Sequence, residues 1–435
     1  MTQHVQTVVV GGGVVGSAAA SQIARRGGDV LLVERFDPGH VRGASHGASR
    51  IYRTTYTEPE YLDLALEAHR LWLKLEAATG ADLLTITGGL ASGGPALQGH
   101  LADLAGALAS RGVVHELIAA DAAAERWPGL AFEGSVLVEP LTAGRLHADR
   151  AVAALQADAV AHGARVVHGR RVTSIEDVPG GVRVRTEPEP LATGAPARGV
   201  AVGGPAGVGG LGGVDSVAGT DDVADLVAER VVVAAGAWST DLLANLLGPV
   251  SGGAGVGGTD LSSLVVTQEQ PAHFAARDAA ASWTWPSFTH DPGPDVVGPG
   301  RRWPSGAYGL ETPGEGVKVG FHAVGLVTHP DRRSFLPEEG QLAQLRDYVA
   351  ERVPGVDPDS LVAISCTYTT TPDHDFVLDR AGRVVLAAGF SGHGFKFAPA
   401  LGRVLADLAD EALRPDDPVG ARAERFALGR LARVR

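Results

Sequence analysis

The first 35 residues alternate between apolar and small or polar segments in an order typical of strand, helix and strand. Residues 8–10 form a valine run that predicts a buried strand. Residues 17–26 are small and rich in alanine, as in a helix that packs on a sheet, and the apolar run at 30–33 predicts a second strand that ends at Glu34. The chain therefore opens with a helix packed on a sheet.

The same patterns predict further elements along the chain. Residues 61–79 have Leu64, Leu71 and Leu75 on one face, which predicts an amphipathic helix ending near Gly80. The other predicted elements are a strand that starts a second sheet at 86–90, a helix at 150–161, a strand at 164–167, a half-exposed strand at 182–185 and a buried strand at 229–239. The last of these turns at a glycine and is expected to close back on the first domain.

Two stretches lack a periodic apolar face. Residues 188–222 and 251–258 are rich in glycine, alanine, valine and proline, and cannot bury enough apolar surface to offset the entropy of ordering. We interpret both as surface insertions without chemistry.

Composition and charge narrow the class of protein. The chain has 435 residues, 45% hydrophobic and 20% charged, enough for two domains with cores of their own. Its net charge of −13 and the lack of a basic block argue against a nucleic-acid partner. No signal segment and no apolar run of about 18 residues is evident, which predicts a soluble, cytoplasmic protein without a membrane anchor. One cysteine excludes an intrachain disulfide, a CxxC pair and a thiolate metal site.

The loop after the first strand carries the glycines of a dinucleotide fingerprint. Gly11 suits the tight turn, Gly13 the approach of the backbone to a pyrophosphate, and Gly16 the close packing of helix on strand. Glu34 lies where a carboxylate binds the ribose hydroxyls of the adenosine, so FAD or NAD is favoured over NADP. The alternative is a chance cluster in a glycine-rich chain.

Several later segments add to this fingerprint. They are 43–53, the strand end at 235–238, the strand around Lys318, the segment 365–373 that holds Cys366, and the glycine-rich segment 389–397. Over nearly the whole chain except the two insertions, these segments resemble the monomeric sarcosine oxidase family. That family also contains N-methyltryptophan, pipecolate and fructosyl amino acid oxidases, within the D-amino-acid-oxidase-like flavoproteins.

The resemblance implies an α+β flavoprotein of two domains. A Rossmann-like FAD-binding domain is expected to comprise residues 1–80, 146–240 and 372–435. A substrate domain built on a mixed sheet is expected to comprise 81–145 and 241–371.

The resemblance also implies how FAD is held. Cys366 is expected to form a thioether to the 8α position of the isoalloxazine ring; judged by its residues alone, it would be a small buried core cysteine. The other expected cofactor-binding residues are Gly11, Gly13, Val14, Val15, Gly16, Glu34, Arg35, Ser45, His46, Arg50, Val172, Ala235, Gly236, Trp238, Gly392, Gly394, Phe395 and Lys396. The alternative for the last glycines is a simple tight turn.

Two cations are candidate substrate anchors. Arg53 and Lys396 would hold an amino acid carboxylate, for which a bidentate guanidinium is well suited. An isolated arginine is usually a surface charge, but Lys396 lies in an apolar segment where an unpaired ammonium is costly.

The remaining catalytic assignments are also implied by the resemblance. Lys318 would stand over the flavin N5 edge and promote the reaction with oxygen, with His322 near the substrate amine; the alternative is a polar strand face open to water. Tyr308 and Tyr368 would line the substrate cavity. A cation at His46 or Arg50 would tune the flavin electrostatically.

Two departures from the family pattern concern the substrate. An acid, Glu269, stands before Gln270 where most relatives have arginine, and Trp283 and Trp285 either line a pocket for a larger side chain or pack in a domain core. The expected reaction of this monomer is oxidation of a secondary amino acid, with an N-methyl or cyclic nitrogen, to an imine and hydrogen peroxide. The alternatives are a dehydrogenase with another electron acceptor, a fructosyl amino acid oxidase and, less in keeping with the residues, a non-catalytic flavin-binding subunit.

Overall fold

The computed structural model describes residues 2–189, 223–243, 261–278, 283–410 and 424–433. The expected insertion at 251–258, and all but the first two residues of the one at 188–222, lie outside these ranges.

The described residues form strands and α-helices in mixed order along the chain. The strands are β1 (Gln3–Val10), β2 (Val30–Val33), β3 (Arg50–Tyr52), β4 (Leu84–Ile86), β5 (Gly89–Gly93), β6 (Glu116–Ile118), β7 (Val136–Glu139), β8 (Gly144–Leu146), β9 (Arg165–Val167), β10 (Arg170–Val178), β11 (Gly181–Pro188), β12 (Asp225–Val233), β13 (Val265–Glu269), β14 (Ala272–Phe274), β15 (Ser287–Asp291), β16 (Ala307–Thr312), β17 (Gly316–Phe321), β18 (Leu326–Val327), β19 (Val362–Ala363), β20 (Cys366–Thr370), β21 (Val377–Ala381) and β22 (Val384–Ala388). The α-helices are α1 (Val14–Arg25), α2 (Pro59–Thr79), α3 (Gln98–Ser110), α4 (Ala120–Arg126), α5 (Ala148–Ala161), α6 (Ser239–Leu243), α7 (Glu339–Arg352) and α8 (Ala398–Ala409).

The first large sheet has a parallel centre in the order β9-β2-β1-β12. On the edge of β12 away from β1, β12 pairs with β22 in parallel and with β11 in antiparallel orientation. Val8 lies opposite Val231, so the buried strand predicted at 229–239 does close back on β1, but it spans Asp225–Val233 and is followed by a helical turn at Gly236–Trp238. Along β1, Val9 enters the core under the helices while Val8 and Val10 enter the core on the opposite face, as the period of two requires.

Helices α1, α5 and α8 cover one face of this sheet. Ala18 of α1 is fully buried, and a Cβ atom at Gly402 of α8 would lie 2.5 Å from its backbone, so the two helices meet without an intervening side chain. Helix α1 begins at Val14, three residues earlier than predicted, because Gly13 caps it and accepts from Ser17 N at 2.9 Å. Helix α2 ends at Thr79 before a left-handed Gly80, as expected.

The second large sheet is mixed, in the order β19-β14-β17-β16-β15-β5-β7-β6, with β5 and β15 parallel. Its own core contains Trp285 and Tyr348. A Cβ atom at Gly129 would lie 2.5 Å from the Trp283 ring, and one at Gly355 would lie 2.9 Å from the Trp285 ring. The tryptophan pair therefore packs in the domain interior, the second of the two roles considered for it.

Two three-stranded sheets complete the fold. They are β18-β13-β20 and β3-β8-β4. Every strand of the first large sheet falls within 1–80, 146–240 or 372–435, and every strand of the second within 81–145 or 241–371. The fold is thus α+β with a Rossmann-like part and a mixed-sheet part, and the segregation of the strands supports the domain boundaries that we propose.

Among the described helices, none combines the length and apolarity needed to cross a bilayer.

Candidate active site

One cavity of about 1190 Å³ lies between the two large sheets. Ligand pockets usually enclose about 300–1,000 Å³, so this one has room for a large ligand together with a smaller one. It is lined by the glycine loop, the ends of β2 and β12, the segment 43–53, parts of β14 to β17, β20 and the segment 389–396. All the site residues predicted from the sequence line it except Gly16.

Gly16 acts through packing. A Cβ atom at Gly16 would lie 1.9 Å from the carbonyl oxygen of Gly11, and Gly11 itself has a φ of +102°. The two glycines therefore let the chain turn from β1 into α1 with Gly13 to Val15 along the cavity wall.

Glu34 closes the second strand and is 6% exposed. Its carboxylate accepts hydrogen bonds from Gly12 N at 2.6 Å and Phe36 N at 2.9 Å. A carboxylate has about four acceptor positions, and His40 Nε2 also lies 3.5 Å from Glu34 Oε1, so at least one position remains for a ribose hydroxyl. The glycine turn, the start of a helix and this carboxylate fit the adenosine diphosphate part of FAD.

A polar cluster surrounds the mouth of the cavity beside Glu34. Arg35 forms ion pairs with Glu189 at 2.9 Å and with Asp331 at 2.7 Å, and its guanidinium stacks 5.6 Å from the Trp238 ring centroid. Trp238 Nε1 donates to Asp331 at 2.9 Å. Val172, Ala235 and Gly236 also line this region of the cavity.

The segment 43–53 lies along the middle of the cavity. Ser45 Oγ accepts from Val14 N at 3.1 Å, which joins the segment to α1. Arg50 donates to the carbonyl oxygens of Ser49, Ala44 and His46 at 2.8, 2.9 and 2.6 Å. Burial and then Arg50 hold the pKa of His46 well below its usual value, so Arg50 rather than His46 carries the positive charge here.

Arg53 and Lys396 converge although they are far apart in the chain. Lys396, 5% exposed, donates to Tyr56 Oη at 2.9 Å and to His393 O at 2.7 Å, and Arg53 donates to Thr55 Oγ1 at 2.8 Å. Burial and the Arg53 charge lower the pKa of Lys396 well below its usual value. Within the described ranges, no carboxylate forms an ion pair with either cation, so both can bind an anion.

Lys318 is buried at the centre of β17. It is 5% exposed, and its Nζ donates to Ser49 O at 2.6 Å. Burial and then the Arg50 charge lower its pKa to about 7. The alternative of a polar face open to water is therefore wrong for Lys318.

Aromatic side chains line the same cavity as Lys318, Arg53 and Lys396. Tyr308 and Tyr368 lie close enough to shift each other's pKa, and the His322 ring centroid lies 5.3 Å from that of Tyr368. His322, unlike Lys318, is exposed, and the surrounding cavity walls and then the charge of Arg53 lower its pKa. Gly392, at φ +78°, packs directly on Tyr368, and a single helical turn begins after Gly394 with Phe395.

Cys366 starts β20 and lines the cavity. The residue is partly exposed, and within the described ranges its thiol has one hydrogen-bond contact, a weak one to Thr367 O at 3.9 Å. It is therefore accessible from the space in which a flavin ring would lie.

Several lining residues were not predicted from the sequence. Tyr56 lies only three residues after Arg53, so the segment itself could have suggested it. His168 Nε2 contacts Gln156 Oε1 at 3.1 Å, and Gln156 Nε2 donates to Gly12 O at 3.0 Å. No local pattern in the sequence marks Gln156 or His168. Gln156 contacts the glycine loop, and His168 contacts Gln156, only in the folded chain.

Known proteins resemble this chain over most of its length. A family model described as "FAD dependent oxidoreductase" (DAO) matches residues 6–408. Monomeric sarcosine oxidase of Bacillus sp. (strain B-0618) is 30% identical, covering 94% of this chain and 93% of the relative. N-methyl-L-tryptophan oxidase of Shigella dysenteriae serotype 1 (strain Sd197) is 26% identical, covering 96% of this chain and 98% of the relative.

Among solved structures, NikD, an unusual amino acid oxidase essential for nikkomycin biosynthesis, is similar with a TM-score of 0.73 and 25% identity, covering 98% of each chain. The family match spans the glycine loop, the Lys318 strand and the segment that ends in Lys396. The chain belongs to the FAD dependent oxidoreductase (DAO) family.

Proposed function

We propose that the protein is an FAD-dependent oxidase of a secondary amino acid, with an N-methyl or cyclic nitrogen, and that oxygen is its electron acceptor. The observation that carries this proposal is the presence, in one cavity, of an anion site at Arg53 and Lys396 and a buried amine at Lys318. The oxidase names of the relatives support the same reaction class.

Bound FAD would supply the chemistry by accepting a hydride from the carbon next to the substrate nitrogen and by passing two electrons to oxygen. Glu34, the Gly11–Val15 turn and the Arg35–Trp238 region would hold its adenosine end. We also propose that Cys366 anchors the ring covalently, because the thiol faces the cavity.

The proposed position of the substrate is based on the two cations Arg53 and Lys396. Arg53 would bind the carboxylate with its planar guanidinium, and Lys396, which like Arg53 lies beside the Tyr56 ring, adds a second positive charge when it is protonated. The substrate amine would then lie against Tyr308, Tyr368 and His322. The lowered pKa of His322 favours its neutral form, which can accept a hydrogen bond from the amine.

The proposed reaction with oxygen is based on the position and charge of Lys318. A positive charge beside the reduced flavin stabilises the negative charge that develops on oxygen during electron transfer. Because its pKa is about 7, Lys318 can also hold or release a proton near neutral pH.

The proposal includes a monomeric state, which the name of the sarcosine oxidase relative supports, and a cytoplasmic location, in keeping with a chain that has one cysteine.

The decisive experiment combines peroxide release in air with anaerobic bleaching of the flavin. It would use N-methyl, cyclic and sugar-modified amino acids together with the matching amines that lack a carboxylate. Peroxide from carboxylated secondary amines alone is expected. Bleaching without peroxide would indicate a dehydrogenase, and no bleaching with any substrate of the panel would contradict the proposal.

A further inference from the structure

His273 on β14 lies directly opposite Lys318 on β17. Directly opposed residues of an antiparallel pair point to the same face, with Cβ atoms about 4.5–5.5 Å apart. Both side chains line the cavity, and His273 is 6% exposed. Its Nε2 atom is buried and has no hydrogen-bond partner in the described part of the chain.

Glu315 connects this histidine to solvent. It lies in the turn between β16 and β17, and its side chain is 48% exposed. Glu315 Oε2 is 3.3 Å from His273 Nδ1. The turn is fixed against β14, because a Cβ atom at Gly316 would lie 2.3 Å from Phe274 O.

Neighbouring charges shift the pKa values of Lys318, Glu315 and His273. Around Lys318, burial and then Arg50 lower the pKa of the amine, whereas Glu315 raises it. Burial and Asp149 raise the pKa of Glu315, while Lys318 lowers it. Burial and Lys318 lower the pKa of His273 to about 3, and Lys318 also lowers that of His46. His273 is therefore a neutral imidazole, which can take a proton on one nitrogen and give one up from the other.

We propose that Glu315 and His273 form a proton route from solvent to Lys318, reached from the β16–β17 turn rather than from the Arg53 and Lys396 end. The inference rests on the proposed oxidase function. Forming H₂O₂ from O₂ takes two electrons and two protons; bound FAD in its reduced form would supply both electrons and one proton, so a second proton must come from elsewhere. Solvent supplies this second proton through Glu315 and the two nitrogens of His273. Glu315 also keeps Lys318 protonated through its negative charge.

The test uses holoenzyme whose flavin is reduced by light rather than by substrate, mixed rapidly with oxygenated buffer. This makes the result independent of substrate identity. The variants are Glu315→Gln and His273→Phe, with Glu311→Gln as the matched control. Glu311 lies in the adjacent strand, is 38% exposed, pairs with Arg145 at 3.1 Å and is not part of the cavity wall.

A second readout does not depend on activity. The chain has three lysines, Lys74, Lys318 and Lys396, so ¹³Cε-lysine NMR of the oxidised holoenzyme gives three signals. The Lys318 signal is assigned by its loss in Lys318→Met, and its pH titration gives the pKa directly.

We expect Glu315→Gln to slow reoxidation about tenfold, a modest part of what a positioned proton donor contributes, and to lower the Lys318 pKa. His273→Phe should slow reoxidation without lowering that pKa, and Glu311→Gln should change neither. Reoxidation of Glu315→Gln at the wild-type rate would overturn the proton route while leaving the oxidase function intact. A wild-type enzyme that reoxidises no faster than Lys318→Met would overturn the oxidase function and the route with it.

Discussion

Glu269 and Cys366 lie directly opposite each other on β13 and β20, and their side chains point to the same face. Glu269 is 1% exposed and accepts from Val324 N at 3.2 Å and from Gly325 N at 3.1 Å. The acid before Gln270 thus holds the loop that begins at His322 beside the thiol.

Replacing Glu269 should loosen this loop. Glu269→Leu leaves two backbone N–H groups without their acceptor, at about 1–3 kcal/mol each, and should lower both the melting temperature and kcat/KM. Glu269→Gln keeps one acceptor oxygen and should lose less. Melting curves and steady-state kinetics would check this, and equal losses in the two variants would contradict the role of the acceptor.

The stability conferred by Glu269 should also depend on pH. Burial raises its pKa above the usual 4.5, so the native state binds more protons than the unfolded state between these two pKa values. The unfolding free energy of the wild type relative to Glu269→Gln should therefore fall as pH rises above about 4.5. Urea unfolding of both proteins at several pH values would measure the difference, and a rise instead of a fall would refute the assignment.

Cys366→Ser should release the flavin. If the thioether exists, acid-precipitated wild-type protein made in air with ample flavin stays yellow, whereas the serine variant leaves its flavin in the supernatant. Absorbance of the supernatant measures the free flavin. Complete release from the wild type would mean that Cys366 is an ordinary free thiol.

Lys318→Met should impair oxygen reduction selectively. We expect reoxidation to slow at least 100-fold, within the range attributed to electrostatic stabilisation of a developing anion, while substrate reduces the flavin at nearly the wild-type rate. Stopped-flow measurement of the two half-reactions separates these effects. Lys74→Met on the exposed face of α2 is the control, and equal slowing of both half-reactions would contradict the assignment.

Reoxidation in the wild type should also decrease as pH rises. Lys318 loses its charge above its pKa, which is about 7 in the protein without flavin and shifts upward beside an anionic reduced flavin. The rate constant of reoxidation should fall as the pH rises through this higher pKa. Loss of this pH dependence in Lys318→Met is the expected check.

Arg53→Gln should weaken binding of substrates that have a carboxylate. A hydrogen bond to a charged group contributes about 1.5–3 kcal/mol, so KM should rise roughly 10- to 100-fold. Turnover of an amine without a carboxylate should hardly change. Arg53→Lys should recover only part of the loss because it lacks the planar fork. A similar rise in KM for both substrates would show that Arg53 serves only the fold.

Two glycines allow a matched test of packing on Tyr368. Gly392 and Gly382 both have positive φ, +78° and +57°, but a Cβ atom would lie 2.2 Å from the Tyr368 ring at Gly392 and would meet nothing within 4 Å at Gly382. Gly382→Ala should cost about 1–2 kcal/mol of backbone strain. Gly392→Ala should cost more and also alter the flavin spectrum. Equal melting temperatures would contradict the packing.

Local sequence was sufficient for the cofactor loop. Gly11, Gly16 and Glu34 could be predicted because a strand, a glycine turn and a helix in this order leave few ways to bind a pyrophosphate. The assignments of Arg53, Lys318 and Lys396 depended on family resemblance, since each residue taken alone is as consistent with an ordinary charge.

Other features depend on tertiary structure. The contact of His273 with Glu315 exists because β14 pairs with β17 in one particular register, which no local pattern specifies. The position of Trp283 and Trp285 could not be predicted either, because Gly129 and Gly355, against which they pack, are distant in the sequence. The early start of α1 arises from the Gly13 cap, a one-residue effect that helical periodicity does not resolve.

The scarcity of lysine has a practical consequence for chemical labelling. Lys74 is exposed on α2, whereas Lys318 and Lys396 are each only 5% exposed. An acylating reagent will therefore modify Lys74 first, and it reaches the two cavity amines only when that part of the protein opens. The rate at which mass spectrometry detects the second and third modified lysines thus reports how often the cavity opens, without any added probe.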